Sequence, residues 1–327
     1  MSIWLDGIMG VVVGDALGDP VQFMSRDEVA NRPQGPVKGM EAGSIFDMPE
    51  GCWTDDSSLT LAALDSIKKL DKVDPVDIMN NFVEWYVNGK YTPFGYPFDI
   101  GSTCSTAIEK YMSDINWKGF EGVEDMNPLA AVTICGGTDA RSNGNGSLMR
   151  IMPVCLYAIE NDLPDAEAVE LIHVVSGLTH NHLRSRMACG LYYFCAKAIL
   201  SENGSLQERL QIGINNGSNF YEDDMDNFKE LSFYFRLRYL DEFKIEPAIN
   251  IKSSGYVVDT LEAAIWSLIN TASLEEALLK AVNLGDDADT VGAVAGGLAG
   301  LYYGYDAIPK EWLEVIQRRE WIEELCK

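Results

Sequence analysis

Glycine recurs at every fourth position near the carboxyl end of the chain, at Gly292, Gly296 and Gly300. Residues four apart lie on one face of an α-helix, so this spacing predicts a helix whose glycine face packs closely against a neighbour. The segment just before it, residues 286–290, reads Asp-Asp-Ala-Asp-Thr. A helix that is expected to be buried is therefore preceded by three carboxylates and a hydroxyl.

These carboxylates have to be reconciled with the low dielectric near a buried helix. Two unit charges about 4 Å apart repel by roughly 4 kcal/mol at an effective dielectric of 20, so the group needs a cation or must take up protons. Carboxylate and threonine oxygens suit Mg²⁺ or Mn²⁺ better than zinc or copper. The alternative is that the acids and the threonine serve only as N-terminal caps, which need no ion.

A second acidic pair stands in a similar position near residue 55. Residues 53–58 read Trp-Thr-Asp-Asp-Ser-Ser, and the apolar residues that follow have helical spacing. We predict that Thr54 caps this helix and that Asp55 and Asp56 lie in its first turn, where the helix dipole keeps carboxylates ionised. Capping explains one acid, whereas two acids beside a threonine repeat the pattern of residues 287–290. The two clusters are therefore expected to bracket a pair of metal ions.

Composition narrows the classes of function. The 327 residues include 50 Asp and Glu against 25 Lys and Arg, a net charge of −25, which repels a nucleic-acid backbone and predicts no nucleic-acid partner. The chain has seven cysteines but no Cys-x-x-Cys pair, and we see neither a leader segment nor an apolar run long enough to span a membrane. These features predict a cytoplasmic protein without a membrane span. Length alone suggests two domains. The acidic clusters come from both ends of the chain, however, and need one another.

Helical periodicity dominates the rest of the chain and strand-like alternation is scarce, so we predict a mostly α-helical fold. Helices are expected over residues 3–17, 184–200 and 256–282, and a long ordered loop over residues 31–52. Asp15 falls inside the first of these helices. Its carboxylate either caps a neighbouring helix or faces the metal site.

A loop over residues 88–106 combines aromatic side chains with Asp99. The aromatics either fill the fold or line a ligand pocket, where they would stack on a base. Asp99 precedes a helix and is a candidate general acid or base. On spacing alone it is equally a candidate cap for that helix.

Two further segments have the composition of ligand-binding turns. Residues 143–147 read Asn-Gly-Asn-Gly-Ser, whose backbone amides could cradle a diphosphate, although a plain tight turn has the same composition. His180 and His182 follow in a Thr-His-Asn-His segment. Zinc would need more ligands than this segment offers, so histidines that contact a ligand or cap a helix are expected.

Six of these segments, in this order, resemble motifs of the ADP-ribosylglycohydrolase family, which includes the dinitrogenase reductase activating glycohydrolase and the ADP-ribosylarginine hydrolases. They are 14–18 (Gly-Asp-Ala-Leu-Gly), 53–56 (Trp-Thr-Asp-Asp), 98–103 (Phe-Asp-Ile-Gly-Ser-Thr), 144–150 (Gly-Asn-Gly-Ser-Leu-Met-Arg), 178–180 (Leu-Thr-His) and 287–290 (Asp-Ala-Asp-Thr). The resemblance implies a single compact all-α domain over residues 1–327, built around two Mg²⁺ or Mn²⁺ ions.

The resemblance also implies a role for each matched residue. The catalytic positions would be Asp99, as acid or base, and Asp55. The metal ligands would be Thr54, Asp55, Asp56, Asp287, Asp289 and Thr290. The substrate-binding positions would be Asp15, Gln22, Gly144, Asn145, Gly146, Ser147 and His180. One departure is Gln22, because many relatives carry a glutamate there and a glutamine cannot accept a proton.

The activity implied is hydrolysis of the bond between ADP-ribose and an acceptor, with arginine on a protein as the expected acceptor. The partners implied are an ADP-ribosylated protein or a small molecule containing ADP-ribose, with an ADP-ribosylating toxin or its target also open. Gln22 favours an alternative, an ADP-ribose-binding or toxin-neutralising immunity protein with weak or no hydrolysis. A metal-dependent phosphohydrolase is a further alternative.

Overall fold

Helices account for nearly all the regular structure of the chain. A computed structural model describes residues 2–117 and 126–327, and within them the chain forms 17 α-helices joined by loops and short 3-10 helices, with three isolated β-bridges and no longer ladder. The helices are α1 Ile3–Gly18, α2 Arg26–Ala30, α3 Asp55–Leu70, α4 Pro75–Asn88, α5 Ser102–Asp114, α6 Pro128–Val132, α7 Met152–Glu160, α8 Asp165–Gly177, α9 Leu183–Ser201, α10 Leu206–Glu222, α11 Met225–Leu231, α12 Leu240–Lys244, α13 Val257–Ile269, α14 Leu274–Val282, α15 Ala288–Tyr303, α16 Lys310–Val315 and α17 Arg319–Leu325.

The buried apolar side chains form one connected core that runs from Trp4 to Cys326. The chain is therefore a single compact domain, and the expectation of two domains from length alone is wrong. The mostly α-helical prediction is confirmed, as are the helices predicted near residues 3–17 and 184–200. The predicted helical stretch 256–282 is two helices, α13 and α14. They are separate because Ser273 caps α14 by accepting a hydrogen bond from the amide of Glu276.

The centre of the domain is the contact between α1 and α15, which pack glycine against glycine. A Cβ added to Gly14 would lie 2.0 Å from the carbonyl oxygen of Gly292, and one added to Gly10 would lie 2.1 Å from that of Gly296. Both distances fall far inside van der Waals contact, so these positions have no room for a side chain. The glycine face predicted for residues 292–300 is confirmed.

The first turn of α3 is held against α1 by Asp15, which is completely buried. Its carboxylate accepts hydrogen bonds from the amides of Thr54 at 3.0 Å and Ser57 at 2.9 Å, and also from both of their hydroxyl groups. Asp15 therefore caps a neighbouring helix, which is one of its two expected roles. Thr54 is the N-cap of α3, as predicted, because its hydroxyl accepts from the amide of Asp56.

The first turn of α15 is held against the same, carboxyl-terminal end of α1. A Cβ added to Gly18 would lie 2.3 Å from the Cα atom of Asp289. The helix starts that carry the two acidic clusters, residues 54–56 and 287–290, are thus both anchored on the carboxyl-terminal half of α1. This junction brings together parts of the chain that are far apart in sequence.

Candidate active site

A cavity of about 240 Å³ opens at this junction, between the starts of α3 and α15. Carboxylates from both acidic clusters and from the loop before α5 face the same space. The lining residues are Phe23, Asp55, Asp56, Asp99, Gly101, Ser102, Thr103, Cys104, Gly144, Asn145, Gly146, Met149, His180, Gly255, Asp287, Asp289 and Thr290. The convergence expected from the sequence of the two clusters is therefore present.

The carboxylates of the cavity are held where ionisation is costly. Asp55, Asp56 and Asp289 are buried, and Asp287 is half-buried. Burial raises the pKa of Asp55, Asp56 and Asp289 well above the usual range, and repulsion from the neighbouring carboxylates raises each of these values further. Burial likewise raises the pKa of Asp287. A positive charge placed in the cavity would remove this penalty.

Two carboxylate oxygens in the site have no hydrogen-bond partner. They are Oδ1 of Asp56 and Oδ1 of Asp289, both buried. A buried polar atom without a partner carries a desolvation cost, and a hard cation would offset it. In the two described ranges, no three or more His, Cys, Asp and Glu side chains are already gathered into a closed ligand set. The donor types fit Mg²⁺ or Mn²⁺, provided that the side chains turn inward to meet the ion.

Thr54 and Thr290 have different positions in this arrangement. The Thr290 hydroxyl lines the cavity beside Asp56. Thr54 is not among the lining residues. Its hydroxyl instead contacts two carboxylates, lying 3.0 Å from Asp15 Oδ1 and 3.1 Å from Asp56 Oδ2. Thr54, implied as a metal ligand, therefore acts in this structure by capping α3 and orienting Asp56.

Asp99 lies at the cavity in the loop before α5, with a left-handed φ of 52°. It does not cap α5, whose N-cap is Gly101 without a side-chain hydrogen bond, so the capping alternative for Asp99 is wrong. Burial raises the pKa of Asp99 to about 6; the Asp287 carboxylate adds to the shift, while Asp289 and Gln22 beside it oppose the shift. A carboxyl group with this pKa can both accept and donate a proton near neutral pH.

Gln22 and Asp15, both expected to bind substrate, lie behind the cavity wall and do not line it. Gln22 is buried, and its Nε2 donates to Asp19 Oδ1 at 3.0 Å. Its Oε1 has no partner. Because Gln22 stands beside Asp99, the geometry gives it a role in positioning that carboxyl group. The geometry gives Asp15 the capping role already described.

The turn at 143–147 contributes Gly144, Asn145 and Gly146 to the cavity. The Asn145 amide nitrogen donates to Asp287 Oδ2 at 2.6 Å and so fixes one of the carboxylates. Ser147 is not at the cavity; its hydroxyl is buried and accepts a hydrogen bond from Ser176. The turn is followed by a short 3-10 helix, Leu148–Arg150.

His180 stands directly against this turn. A Cβ added to Gly144 would lie 3.2 Å from His180 Nε2. The Arg150 guanidinium donates to the Thr179 hydroxyl, which lies 2.8 Å from His180 Nδ1. Because the hydroxyl accepts from Arg150, it is free to donate to Nδ1, which leaves Nε2 as a donor at the cavity. Burial, with the Arg150 charge adding, lowers the pKa of His180 to about 3, so the ring is neutral.

The second histidine of that segment has a different role. His182 is the N-cap of α9, and its Nδ1 accepts from the amide of Arg184 at 3.1 Å. The segment therefore divides between the two roles expected for it, because His180 lines the cavity and His182 caps a helix.

Comparison with known proteins decides the class of this site. Residues 4–327 match the family model described as ADP-ribosylglycohydrolase. The chain belongs to the ADP-ribosylglycohydrolase family. It is a glycohydrolase enzyme, and the resemblance noted in six segments of its sequence is confirmed over nearly the whole chain.

Individual relatives of this ADP-ribosylglycohydrolase agree. The chain is 30% identical over 324 residues to an ADP-ribosylarginine hydrolase of Serratia proteamaculans, with 98% of this chain and 76% of the relative covered. It is 29% identical over 315 residues to the ADP-ribosyl-[dinitrogen reductase] glycohydrolase of Rhodospirillum rubrum, covering 96% and 90% of the two chains. A solved structure described as an ADP-ribosylglycohydrolase-related protein complex superposes with a TM-score of 0.72 and 30% identity, covering 99% of this chain and 95% of that one.

The glycohydrolase cavity also has walls that the sequence did not reveal. Phe23, Met149 and Gly255 line it, together with Ser102, Thr103 and Cys104 at the start of α5. Nothing in the local sequence marked Phe23 or Gly255, whereas Met149, Ser102 and Thr103 belong to motifs already singled out. The aromatics of the 88–106 loop are not in the lining. Instead Phe94 stacks on Tyr96, and Phe98 packs at a tilted angle against both Tyr96 and Phe46.

In the described ranges no helix combines the length and the apolar character that crossing a membrane would require.

Proposed function

We propose that the chain hydrolyses the bond between C1″ of ADP-ribose and a guanidinium nitrogen of an arginine on a protein. The observation that carries this proposal is the meeting of residues 55–56, residues 287–290 and Asp99 at one cavity. Relatives about 30% identical are named ADP-ribosylarginine hydrolases, which supports arginine as the acceptor. The modified protein, including one modified by a toxin, would be the partner.

The proposed reaction needs one proton relay, which we assign to Asp99. A water oxygen adds to C1″, the bond from C1″ to the guanidinium nitrogen breaks, and a proton from that water ends on the departing nitrogen. A carboxyl with a pKa of about 6 can take the proton from water and pass it on. Gln22 beside it would hold that carboxyl in place.

The residues that would hold divalent ions are Asp55, Asp56, Asp287, Asp289 and Thr290, whose oxygens suit Mg²⁺ or Mn²⁺. Bound there, such ions would lower the pKa of water and stabilise developing negative charge. The two partnerless oxygens, on Asp56 and Asp289, support this assignment. Asp55 feels the charges of both Asp99 and Asp56. Burial raises the pKa of Asp55 most, and repulsion from these two carboxylates raises it further.

Anionic parts of the substrate would bind on the turn at 144–146. Backbone amides of a glycine turn and the Nε2 donor of His180 are groups that recognise phosphate oxygens. The buried Arg150 guanidinium donates to the Gly146 carbonyl and lies just below this turn, where its charge also favours an anion. Seven cysteines, all unpaired and buried, suit our assignment of the activity to the reducing cytoplasm.

A panel of ADP-ribose conjugates tests this function. Arginine-, serine- and nucleobase-linked ADP-ribose are incubated with the wild type, with Asp99→Asn and with Asp162→Asn in the presence of Mg²⁺ or Mn²⁺. The arginine linkage should be cleaved first, and Asp99→Asn should slow it by about 10²-fold or more. Asp162 is exposed with a φ of 48°, which Asn adopts readily, so that variant is the matched control.

Each part of the proposal can fail separately in this experiment. Undiminished turnover by Asp99→Asn would remove its acid/base role, and a preference for serine or nucleobase linkages would remove arginine as acceptor. Tight ADP-ribose binding without release from any conjugate would favour the binding-protein alternative. AMP as the product, instead of ADP-ribose, would indicate a phosphohydrolase.

A further inference from the structure

Phe23 presents an aromatic ring at the active-site cavity. It lines the cavity, and 58% of it is exposed to solvent. No other aromatic ring and no Lys or Arg side chain of the described residues stacks on it. The buried carboxylates lie deeper, so a ligand held by them would extend outward past this ring.

The backbone at Phe23 has a conformation that a large side chain rarely takes. Its φ is 64°, in the left-handed region where a bulky residue is an outlier. Sequences normally place Gly, Asn or Asp at such a position. Strain of this kind persists where the surrounding structure enforces it and frequently coincides with a ligand site.

The surrounding structure holds this conformation by strapping residues 22–26 to residues 284–286. The Phe23 amide donates to the Asp286 carbonyl at 2.5 Å, and the Asp286 amide donates to the Met24 carbonyl at 2.6 Å. Gly285 packs directly against this strap, because a Cβ there would lie 2.6 Å from the Met24 carbonyl oxygen. The ring is therefore presented at the cavity mouth from a fixed backbone.

The neighbours of Phe23 in the sequence place it at the reacting end of the cavity. Gln22, one residue before, lies beside Asp99. Asp286, its hydrogen-bond partner, is followed directly by Asp287 of the cavity. If Asp99 delivers the proton to the departing nitrogen, the acceptor group leaves past Phe23.

The chemistry of this rim favours a planar cation. An aromatic face attracts a cation, and a guanidinium is planar and stacks on such a face while its N–H groups bind carboxylates at its edge. Asp99 and Asp287 supply carboxylates to the same cavity that the ring lines. An adenine would also stack on the ring, but it presents acceptor ring nitrogens beside its one amino donor, whereas a guanidinium presents only N–H donors to these carboxylates.

We propose that Phe23 is the acceptor-recognition residue, whose ring stacks on the arginine guanidinium of the substrate. This inference rests on the proposed arginine-directed function and names the side chain that recognises the arginine acceptor. It predicts that the contribution of Phe23 is present with ADP-ribosylarginine and absent with free ADP-ribose, which has no guanidinium.

Calorimetric titration tests this prediction in an Asp99→Asn background, where the conjugate survives. ADP-ribosylarginine and free ADP-ribose are each titrated, with Mg²⁺ present, against the protein carrying Phe23, Phe23→Asn or Phe23→Tyr. Asn accepts a positive φ, so Phe23→Asn should keep the Tm of its parent. It should raise the Kd for ADP-ribosylarginine about three- to thirtyfold and leave the Kd for ADP-ribose within about twofold. Phe23→Tyr should retain both affinities.

Three results would overturn the assignment. The first is an unchanged Kd for ADP-ribosylarginine in Phe23→Asn. The second is an equal loss of affinity for both ligands, which would mean that the ring contacts the ADP-ribose part. The third is no binding of ADP-ribosylarginine by the protein that carries Phe23. Failure of the proposed function would show up differently. The wild type, with Asp99 intact, would then leave ADP-ribosylarginine uncleaved whatever the Phe23 variants bind.

Discussion

Replacing Gly14 by alanine tests whether the α1–α15 contact is what assembles the active site. The new Cβ would lie 2.0 Å from the carbonyl oxygen of Gly292 and 2.4 Å from its carbonyl carbon. These are backbone atoms, so no side-chain rotation can relieve the overlap. The two helices would have to separate by about 1 Å or more to reach ordinary contact distance.

The free energy of unfolding should fall as a result. Inserting a methyl group into a packed core costs about 1 to 3 kcal/mol, and a clash between two backbones belongs at the upper end of that range. Alanine returns about 1 kcal/mol of helix propensity relative to glycine. The net loss should be about 2 kcal/mol, which lowers the Tm of a chain this long by about 3 °C.

Activity should fall further than stability suggests. Asp15, one residue after Gly14, caps α3, and Gly18 packs against Asp289. Separation of α1 and α15 would therefore move the two acidic clusters relative to each other. A displacement of about 1 Å in catalytic groups can reduce turnover by about 10²-fold.

The matched control is Gly7→Ala on the same helix. Its Cβ would meet only the flexible ends of Leu301, Leu156 and Met152, at 3.1 to 3.4 Å. The free energy of unfolding of Gly7→Ala, measured by thermal unfolding with circular dichroism, should lie within about 0.5 kcal/mol of the wild-type value. The variant should also release ADP-ribose at the wild-type rate. Gly14→Ala with the stability and activity of Gly7→Ala would refute the reasoning.

Three further perturbations follow from the same structure. Asp289→Asn removes a buried carboxylate whose raised pKa makes its ionised form costly, so in EDTA at pH 8 the variant should melt above wild type, a gain that fades in acid; a lower Tm at pH 8 would contradict this. His180→Ala removes the Nε2 donor and should raise the Kd for ADP-ribose about tenfold by calorimetry, and an unchanged Kd would remove that role. Burial raises the pKa of Glu262 to about 7 against the partial compensation of Arg236. Part of the wild-type free energy of unfolding should therefore be lost as pH rises from about 4.5 to 7. Glu262→Gln should recover about 1 to 3 kcal/mol of this loss above pH 7, as measured by urea unfolding at several pH values. A difference between the two proteins that does not change with pH would argue against this role of Glu262.

The sequence was sufficient where a physical pattern is local. The four-residue glycine repeat predicted a close helix contact, and the paired acids after Thr54 and before Thr290 predicted a shared site, because both follow from helix geometry and charge. The capping role of Thr54 was readable for the same reason. The order of the six motifs then gave the family.

The remainder of the site depends on tertiary contacts that no local pattern encodes. Asp15 and Ser147 belong to matched motifs, yet one caps α3 and the other bonds Ser176 in the core. Phe23 was missed because its exposure at the cavity comes from a left-handed φ and a strap to residue 286, on the far side of the sequence. The sequence allows the aromatic loop at 88–106 either to fill the fold or to line the pocket, and only the structure shows that its rings pack against one another.

We propose that residues 55–56 and 287–290 form one divalent-cation centre for glycohydrolysis. The most direct measurement is a crystal structure of the protein grown with Mn²⁺, with the ions located by anomalous diffraction. We predict manganese density in the cavity, in contact with carboxylates from both acidic clusters. Manganese bound to only one cluster, bound elsewhere, or absent at saturating concentration would contradict the account.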